Sequence, residues 1–309
     1  MVEPQTAGDP STEQMWVRSS LRHLSKRLSD GGHRASPPTV GRLLRKMGFS
    51  LRGNAKDKEA GSDHEDRDKQ FNYIEHKKQE YLEARLPVIS VDTKKKELIG
   101  EFKNNGQAWC REAQEVNVHD FRSLALARAV PYGVYDLVNN VGYVYVGRSS
   151  DTAEFAVEVI GRWWEEEGKA QYPGAGKLLI LADAGGSNGY RVRAWKKGLQ
   201  EELSDRLGLE VTVCHYPSGC SKYNPIEHRL FSQISINWAG KVLATVETML
   251  GYIGATTTKT GLKVKAFLQE GIYDKGHRVS DEEMNKLNVE HHTVCPNWNY
   301  TIQPRLADT

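Results

Sequence analysis

Apolar residues recur along this chain with two different periods, and the change between them divides it. Trp16, Val17, Leu21, Leu24 and Leu28 follow a helical spacing that the turn signal Asp30-Gly31-Gly32 stops. Ser36 with Pro37 marks a second helix start, Val40, Leu43, Leu44 and Met47 form its apolar stripe, and Gly48 ends it. Residues 1–15 have no periodicity and read as a disordered lead-in. Residues 54–70 are polar, of mixed charge and without a core-forming face, which predicts a linker. Helical spacing returns over 71–86 through Phe71, Ile74, Tyr81 and Leu82, and Pro87 closes it.

From Pro87 the period shortens. Residues 87–92 (PVISVD) are rich in β-branched side chains and predict a strand. Residues 96–102 (KELIGEF) are expected to pair back on it through a turn at Thr93-Lys94-Lys95. Residues 104–130 show no clear pattern and read as a long loop, and 133–147 form a hairpin that turns at Asn139-Asn140. An amphipathic helix over 152–170 carries Phe155, Val159, Ile160, Trp163 and Trp164. Strand 178–183, helix 190–207, strand 209–215 and helix 226–238 follow, with a further helix over 246–253. The alternation predicts an α/β domain over 71–245, with a mixed five-stranded sheet opened by a meander and finished by crossover helices. Residues 246–309 read as a C-terminal helical extension and tail, pinned to the body by Trp298 and Tyr300.

Composition narrows the class. Of 309 residues, 39% are hydrophobic and 27% charged, and no apolar run approaches the ~18–20 residues of a membrane span. The N-terminus lacks a signal pattern, so a cytoplasmic location is expected. Four cysteines at irregular spacing predict reduced thiols. Charge is uneven: between Trp16 and Lys58 eleven Lys and Arg face two Asp, in a chain whose formal net charge is only +2. A basic appendage therefore accompanies a mildly acidic body. The helical pair reads as a helix-turn-helix over 16–53, with Arg42, Arg45 and Lys46 toward DNA phosphates, or as a basic pair that only packs.

Ligands of an open α/β sheet gather beyond the carboxyl ends of strands, and Asp92 and Asp183 each end one there. Two converging carboxylates repel unless a cation lies between them, and hard Mg²⁺ or Mn²⁺ prefers oxygen ligands. Glu227, at the start of a helix, supplies a third acid. Three acids can hold two ions for an in-line phosphoryl displacement. Each acid also has a purely structural reading: Asp92 capping the Thr93 turn, Asp183 in an Asx-type turn, and Glu227 in a near capping box after Asn224-Pro225. Gly185-Gly186-Ser187-Asn188-Gly189 matches the nucleophile elbow of serine hydrolases, with His215 or His228 downstream, but the strand ends four residues early for it. Cys214, His215, Cys220 and His228 suggest a zinc site less well than a buried thiol beside a polar loop. Asn188, Lys222 and Asn224 can orient phosphate or water, and Lys94 and Lys95 can steer DNA toward Asp92.

Longer stretches add a resemblance. VISVDTKKKELIGEFKN, VNVHDF, PYGVYDL, LILADAGGSNGYRVRAWK, VCHYPSGCSKYNPIEHRLFSQISINW, ATTTKTGLKVKA and NWNYTI together resemble the Rhodopirellula-type DDE transposases of bacterial insertion sequences, from about Trp16 to Ile302. The NPIE segment is also similar to the last acid of mariner-like transposases. The resemblance implies an RNase H-like fold, two-metal cleavage and strand transfer at terminal inverted repeats, and a helix-turn-helix that binds element ends. It implies Asp92, Asp183 and Glu227 as the catalytic triad, double-stranded DNA as partner and a homodimer in a synaptic complex. Ala184 and Tyr223 depart from the glycine and tryptophan usual there. Family members carry more chain ahead of Trp16, so the second reading is a shortened, inactive remnant that only binds DNA.

Overall fold

The computed structural model describes residues 6–8, 15–17, 19–50, 66–108 and 110–305. The chain divides into two compact units, Met1–Lys58 and Glu59–Thr309.

In the first unit, β1 (Thr6–Gly8) and β2 (Met15–Val17) pair antiparallel, with Thr6 opposite Val17. Part of the expected lead-in over 1–15 is therefore a short ribbon. Helix α1 (Leu21–Asp30) starts where the Ser20 side chain accepts a bond from the His23 N–H. Helix α2 (Pro37–Lys46) starts on two prolines whose missing N–H groups lose nothing in a first turn. Leu24 and Val40 are buried, and Gly41 brings α2 close to Leu21. Of the expected stripe, Leu43 and Met47 stand exposed.

In the second unit, α3 (Arg67–Glu83) begins four residues inside the expected linker over 54–70, of which 54–65 lie outside the described residues. Next come β3 (Val88–Thr93), β4 (Glu97–Ile99), β5 (Ala127–Asp136) and β6 (Val141–Gly147). Strand β4 pairs with Ala127–Ala129 of β5, not back on β3 as expected. Helix α4 (Ala153–Trp163) runs on through a π-helical stretch, Trp164–Gly168, into α5 (Lys169–Gln171). Strand β7 (Lys177–Ala182) leads to α6 (Arg193–Gly198), which continues as a π-helix over Leu199–Asp205. After β8 (Glu210–His215), a π-helical turn over Glu227–Phe231 opens α7 (Ser232–Asn237). The chain ends with α8 (Val246–Gly254), β9 (Lys263–Gln269), α9 (Asp281–Asn285), β10 (Val289–His291) and β11 (Asn299–Ile302).

The sheet has nine strands rather than five, with β10-β11-β8-β7-β3-β5-β6-β9 in order and β4 beside β5. Its centre runs β6-β5-β3-β7-β8. Strand β5 runs antiparallel to both β6 and β3, and β7 and β8 run parallel to β3. This is the RNase H-like arrangement that the resemblance implies. Strand β9 extends one edge, parallel to β6, and β11 and β10 extend the other. Of the expected extension and tail over 246–309, the stretch from β9 to β11 therefore completes the main sheet instead of trailing from it.

Because side chains alternate across a sheet, each strand supplies both faces. Ile89, Val91, Ile180, Ala182 and Val213 pack under α4 and α6 with Phe155, Trp163 and Trp195. Val88, Leu179, Leu181 and Cys214 face the other way, against Ile74 and Tyr81 of α3. Farther along that second face, Ile226, Leu230, Phe231 and Ile234 pack with α8 on Tyr135, Val144 and Val146. Asp92 and Asp183 continue the alternation of Val88 and of Leu179 and Leu181. Both acids therefore lie on the face that carries Glu227.

Candidate active site

Val91 pairs with Ala182 in parallel register, so the next residue of each strand, Asp92 and Asp183, lies side by side at the strand ends. Across the other edge of β3, Asp92 is opposite Gly133. A Cβ at Gly133 would meet Ile226 Cδ1 and Phe231 Cε1 at 2.7 Å, so the bare backbone there lets the segment bearing Glu227 press on the sheet. The carboxyls of Asp92 and Glu227 come within reach of one hydrogen bond.

These acids are far from ordinary carboxylates. Burial, reinforced by the charges of Asp183 and Glu227, holds Asp92 well above the usual carboxylate range, although the Thr93 N–H bonded to its Oδ1 at 2.7 Å opposes this. Burial pushes Asp183 up to about 6, against a bond from Asn224 and with help from Glu227. Glu227 is also raised by burial, while Asp92 and Lys94 hold it back. The bond between the two carboxyls raises Asp92 and lowers Glu227, so it runs from Asp92 to Glu227. Among the described residues no three His, Cys, Asp or Glu side chains stand in ready-made metal-ligand geometry. The three acids influence one another without being drawn up around an ion. As an all-oxygen donor set of acids each raised by burial, they fit a hard divalent cation, which would favour their ionised forms.

The turn reading of Asp92 holds alongside this, since its Oδ1 accepts the Thr93 N–H, whereas the side-chain bond at Asp183 comes from Asn224. Asn224 stands just before the helix, where its carbonyl accepts the Glu227 N–H, but its side chain does not cap: Nδ2 donates to Asp183 Oδ1 at 3.2 Å, and Oδ1 accepts from the Ser90 hydroxyl. Ser90 also accepts the Ile226 N–H at 3.1 Å. His215 donates from Nδ1 to the Asp183 carbonyl at 2.9 Å, because a carbonyl can only accept. Its Nε2 then accepts from Tyr300 at 3.1 Å, and the Tyr300 hydroxyl accepts from Trp195 Nε1 at 3.0 Å. Burial lowers this imidazole to about 4, so it is neutral at pH 7. Both nitrogens of His215 are committed, and burial raises the Cys214 thiol to about 12, which leaves these two of the four suggested zinc ligands unsuited to a metal. Among the described residues Ser187 Oγ is buried without a hydrogen-bond partner, so none of their imidazoles activates it as a hydrolase nucleophile.

Lys94 is 6% exposed, with its ammonium 3.4 Å from Glu97 Oε1 and 4.6 Å from the Trp238 ring centroid. It faces inward rather than toward DNA. Lys95 is exposed, and so is Lys222, whose ammonium lies 5.2 Å from the Tyr223 ring centroid. Arg42, Arg45 and Lys46 are all exposed on α2. Asn188 is buried with both amide atoms unpartnered among the described residues. Asp183 lines a cleft of about 510 Å³ with Gly185, Gly186, Arg191 and Gly219. A second cleft, of about 450 Å³, is lined by Lys95, Lys96, Lys103, Arg122 and Arg128. Lys103, Arg122 and Arg128 are not legible as a group in the sequence, because they are scattered through a stretch without periodicity. Ser90 goes unmarked as well, its signal being only a polar residue between two apolar ones in VISV.

No curated protein matches the chain. Three solved structures of the Mos1 transposase are similar at low identity. The paired-end complex with the left transposon end aligns at a TM-score of 0.46 and 15% identity over 76% of this chain and 65% of that one. The mariner paired-end complex with Mn aligns at 0.45 and 15% over the same shares, and the strand transfer complex at 0.44 and 13% over 80% and 72%. The chain thus spans about 65% of the length of the first two Mos1 chains. The sequence model of the Rhodopirellula transposase DDE domain matches residues 1–304, beginning ahead of Trp16, and the chain belongs to that family.

Proposed function

We propose that this chain is a DNA transposase. It cuts phosphodiester bonds at the terminal inverted repeats of an insertion sequence and joins the freed 3′ end to target DNA, with Asp92, Asp183 and Glu227 holding two divalent cations, Mg²⁺ or Mn²⁺. The meeting of three acids from distant segments on one sheet face carries this reading. Bound there, such ions supply the positive charge that activates the attacking oxygen and stabilises the leaving one.

The chain's own groups prepare that site. The Thr93 N–H fixes one oxygen of Asp92 and the Asn224 amide one oxygen of Asp183. Lys94, buried beside Glu227, favours the ionised form of that acid. Residues 16–53 act as a helix-turn-helix that grips element ends through Arg42, Arg45 and Lys46, joined to the catalytic unit by the linker. Lys95 and Lys222 contact phosphates near the acids, and the cleft cations Lys103, Arg122 and Arg128 extend that surface. Two copies assemble on paired ends.

The test uses the purified chain and a duplex carrying an element end with its flank. Nicking is expected with Mg²⁺ or Mn²⁺ and not with EDTA, and Asp183→Asn should abolish it while the duplex is still bound. Binding without nicking by the unaltered chain would overturn the enzyme reading and leave a DNA-binding remnant.

A further inference from the structure

Ser90 is fully buried on β3, two residues before Asp92 and on the same face of the strand. Val88, the position before it on that face, is part of an apolar cluster, so a hydroxyl here needs partners of its own. It has two, and both belong to the segment that ends in Glu227. The Ile226 N–H donates to Ser90 Oγ at 3.1 Å. The Ser90 O–H is then the remaining donor, and it is directed at Asn224 Oδ1. With that oxygen engaged, the Asn224 amide must present Nδ2 to Asp183, and it does so at 3.2 Å. The direction is fixed at each link, because an amide turned over would set its oxygen against a carboxylate and face Ser90 with a second donor.

We infer that Ser90 is a positioning residue that sets the spacing of Glu227 and Asp183 about Asp92, through the Ile226 N–H on one side and the Asn224 amide on the other. Its hydroxyl bonds are to Asn224 and Ile226 rather than to the three carboxylates. One hydroxyl ties the strand of Asp92 to the backbone one residue before Glu227 and, through Asn224, to an oxygen of Asp183. An alanine would free the helix start and let the Asn224 amide rotate, loosening two of the three acids together. Groups that orient metal-binding side chains from behind typically change metal affinity 10–100-fold when removed.

The inference rests on the proposed cation-holding role of the triad, and the test separates the two. Mn²⁺ binding by the full chain, without DNA, is measured by electron paramagnetic resonance for the wild type, Ser90→Ala, Ser90→Thr and Asn224→Ala, with a thermal melt of each. Ser90→Ala is expected to bind Mn²⁺ about 10–100-fold more weakly. Ser90→Thr, which keeps the hydroxyl, should restore most of the affinity. In nicking assays, the Mg²⁺ concentration for half-maximal rate should rise with much less change in the rate at saturating metal. A Ser90→Ala protein that melts earlier yet binds Mn²⁺ as the wild type does would make Ser90 merely structural and overturn the inference. Should Ser90→Ala not fold, Asn224→Ala, which leaves the bond to Ile226 in place, carries the test, and wild-type Mn²⁺ affinity in it would overturn the inference equally. No Mn²⁺ binding by the wild type would overturn the triad reading itself, and the inference with it.

Discussion

Gly133 stands opposite Asp92 in the β3–β5 pair, and its missing side chain is what lets the Glu227 segment lie on the sheet. A methyl group at Gly133 would press on Ile226 and Phe231 at 2.7 Å, and both are buried in a packed cluster. Gly133→Ala is therefore expected to cost about 1–3 kcal/mol of stability, as overpacked cores do. It should also lift Glu227 from Asp92, so nicking at a temperature where the protein stays folded should fall by more than the melt accounts for. Thermal denaturation and a nicking assay on one preparation check this, and full activity in the folded variant would show that the spacing tolerates the shift.

A second prediction concerns the far end of the chain. The Tyr300 hydroxyl accepts from Trp195 and donates to His215, which in turn holds the Asp183 carbonyl. Tyr300→Phe keeps the ring and leaves a buried N–H and a buried imidazole nitrogen without partners. Leaving such groups unsatisfied costs about 1–3 kcal/mol each. Chemical denaturation should register a loss of at least that size, and none at all would mean the chain of bonds is not maintained in solution.

The last strand was the hardest element to place from sequence. PVISVD, LLILAD and EVTVCH each carry enough apolar residues, bounded by turns, to announce a strand, and so the two aspartates were legible at strand ends. Strands β9, β10 and β11 are short or half-exposed, and β11 earns its burial only by pairing with β8, a long-range partner that no local period reveals. Asn224-Pro225 looks like a helix cap because capping chemistry and site chemistry use the same residues. Here the Ser90 hydroxyl takes the Ile226 N–H, which frees the Asn224 side chain for Asp183. Lys94 looks like part of an exposed charge run because Lys94, Lys95 and Lys96 are identical in sequence terms. The strand geometry turns the first inward and leaves the second out.

That difference between neighbours yields a third prediction, conditional on the proposed DNA contacts. Each cation on a phosphate contributes about one unit to the slope of log affinity against log salt. Lys95→Ala should flatten the slope by about one, whereas Lys94→Ala should leave it unchanged while lowering the melting temperature, since it strips Glu97 and the Trp238 face of their cation. Titrations at several salt concentrations decide it. A flattened slope for Lys94→Ala would return that lysine to the DNA surface.

Glu283 provides a test of the fold that is independent of DNA and metal. It closes a capping box with Ser280 on α9 and bonds Lys197 Nζ at 2.7 Å, linking α9 to α6. The Lys197 bond first, then the Ser280 N–H, depress its carboxyl from the ordinary 4.5 to about 2. A depressed carboxyl stabilises the folded state above its unfolded value and stops doing so as pH falls through its folded value. The contribution of Glu283 should thus be complete at pH 7, begin to fade below about 4.5 and be gone near about 2. Because the group is exposed, the effect is small, and it is best read as a difference between proteins. Glu283→Gln should melt below the wild type at pH 7, with the gap narrowing steadily from pH 4.5 downward. A gap that stays constant to pH 3 would mean that the amide loses packing rather than charge, and that the Lys197 pair contributes nothing to stability.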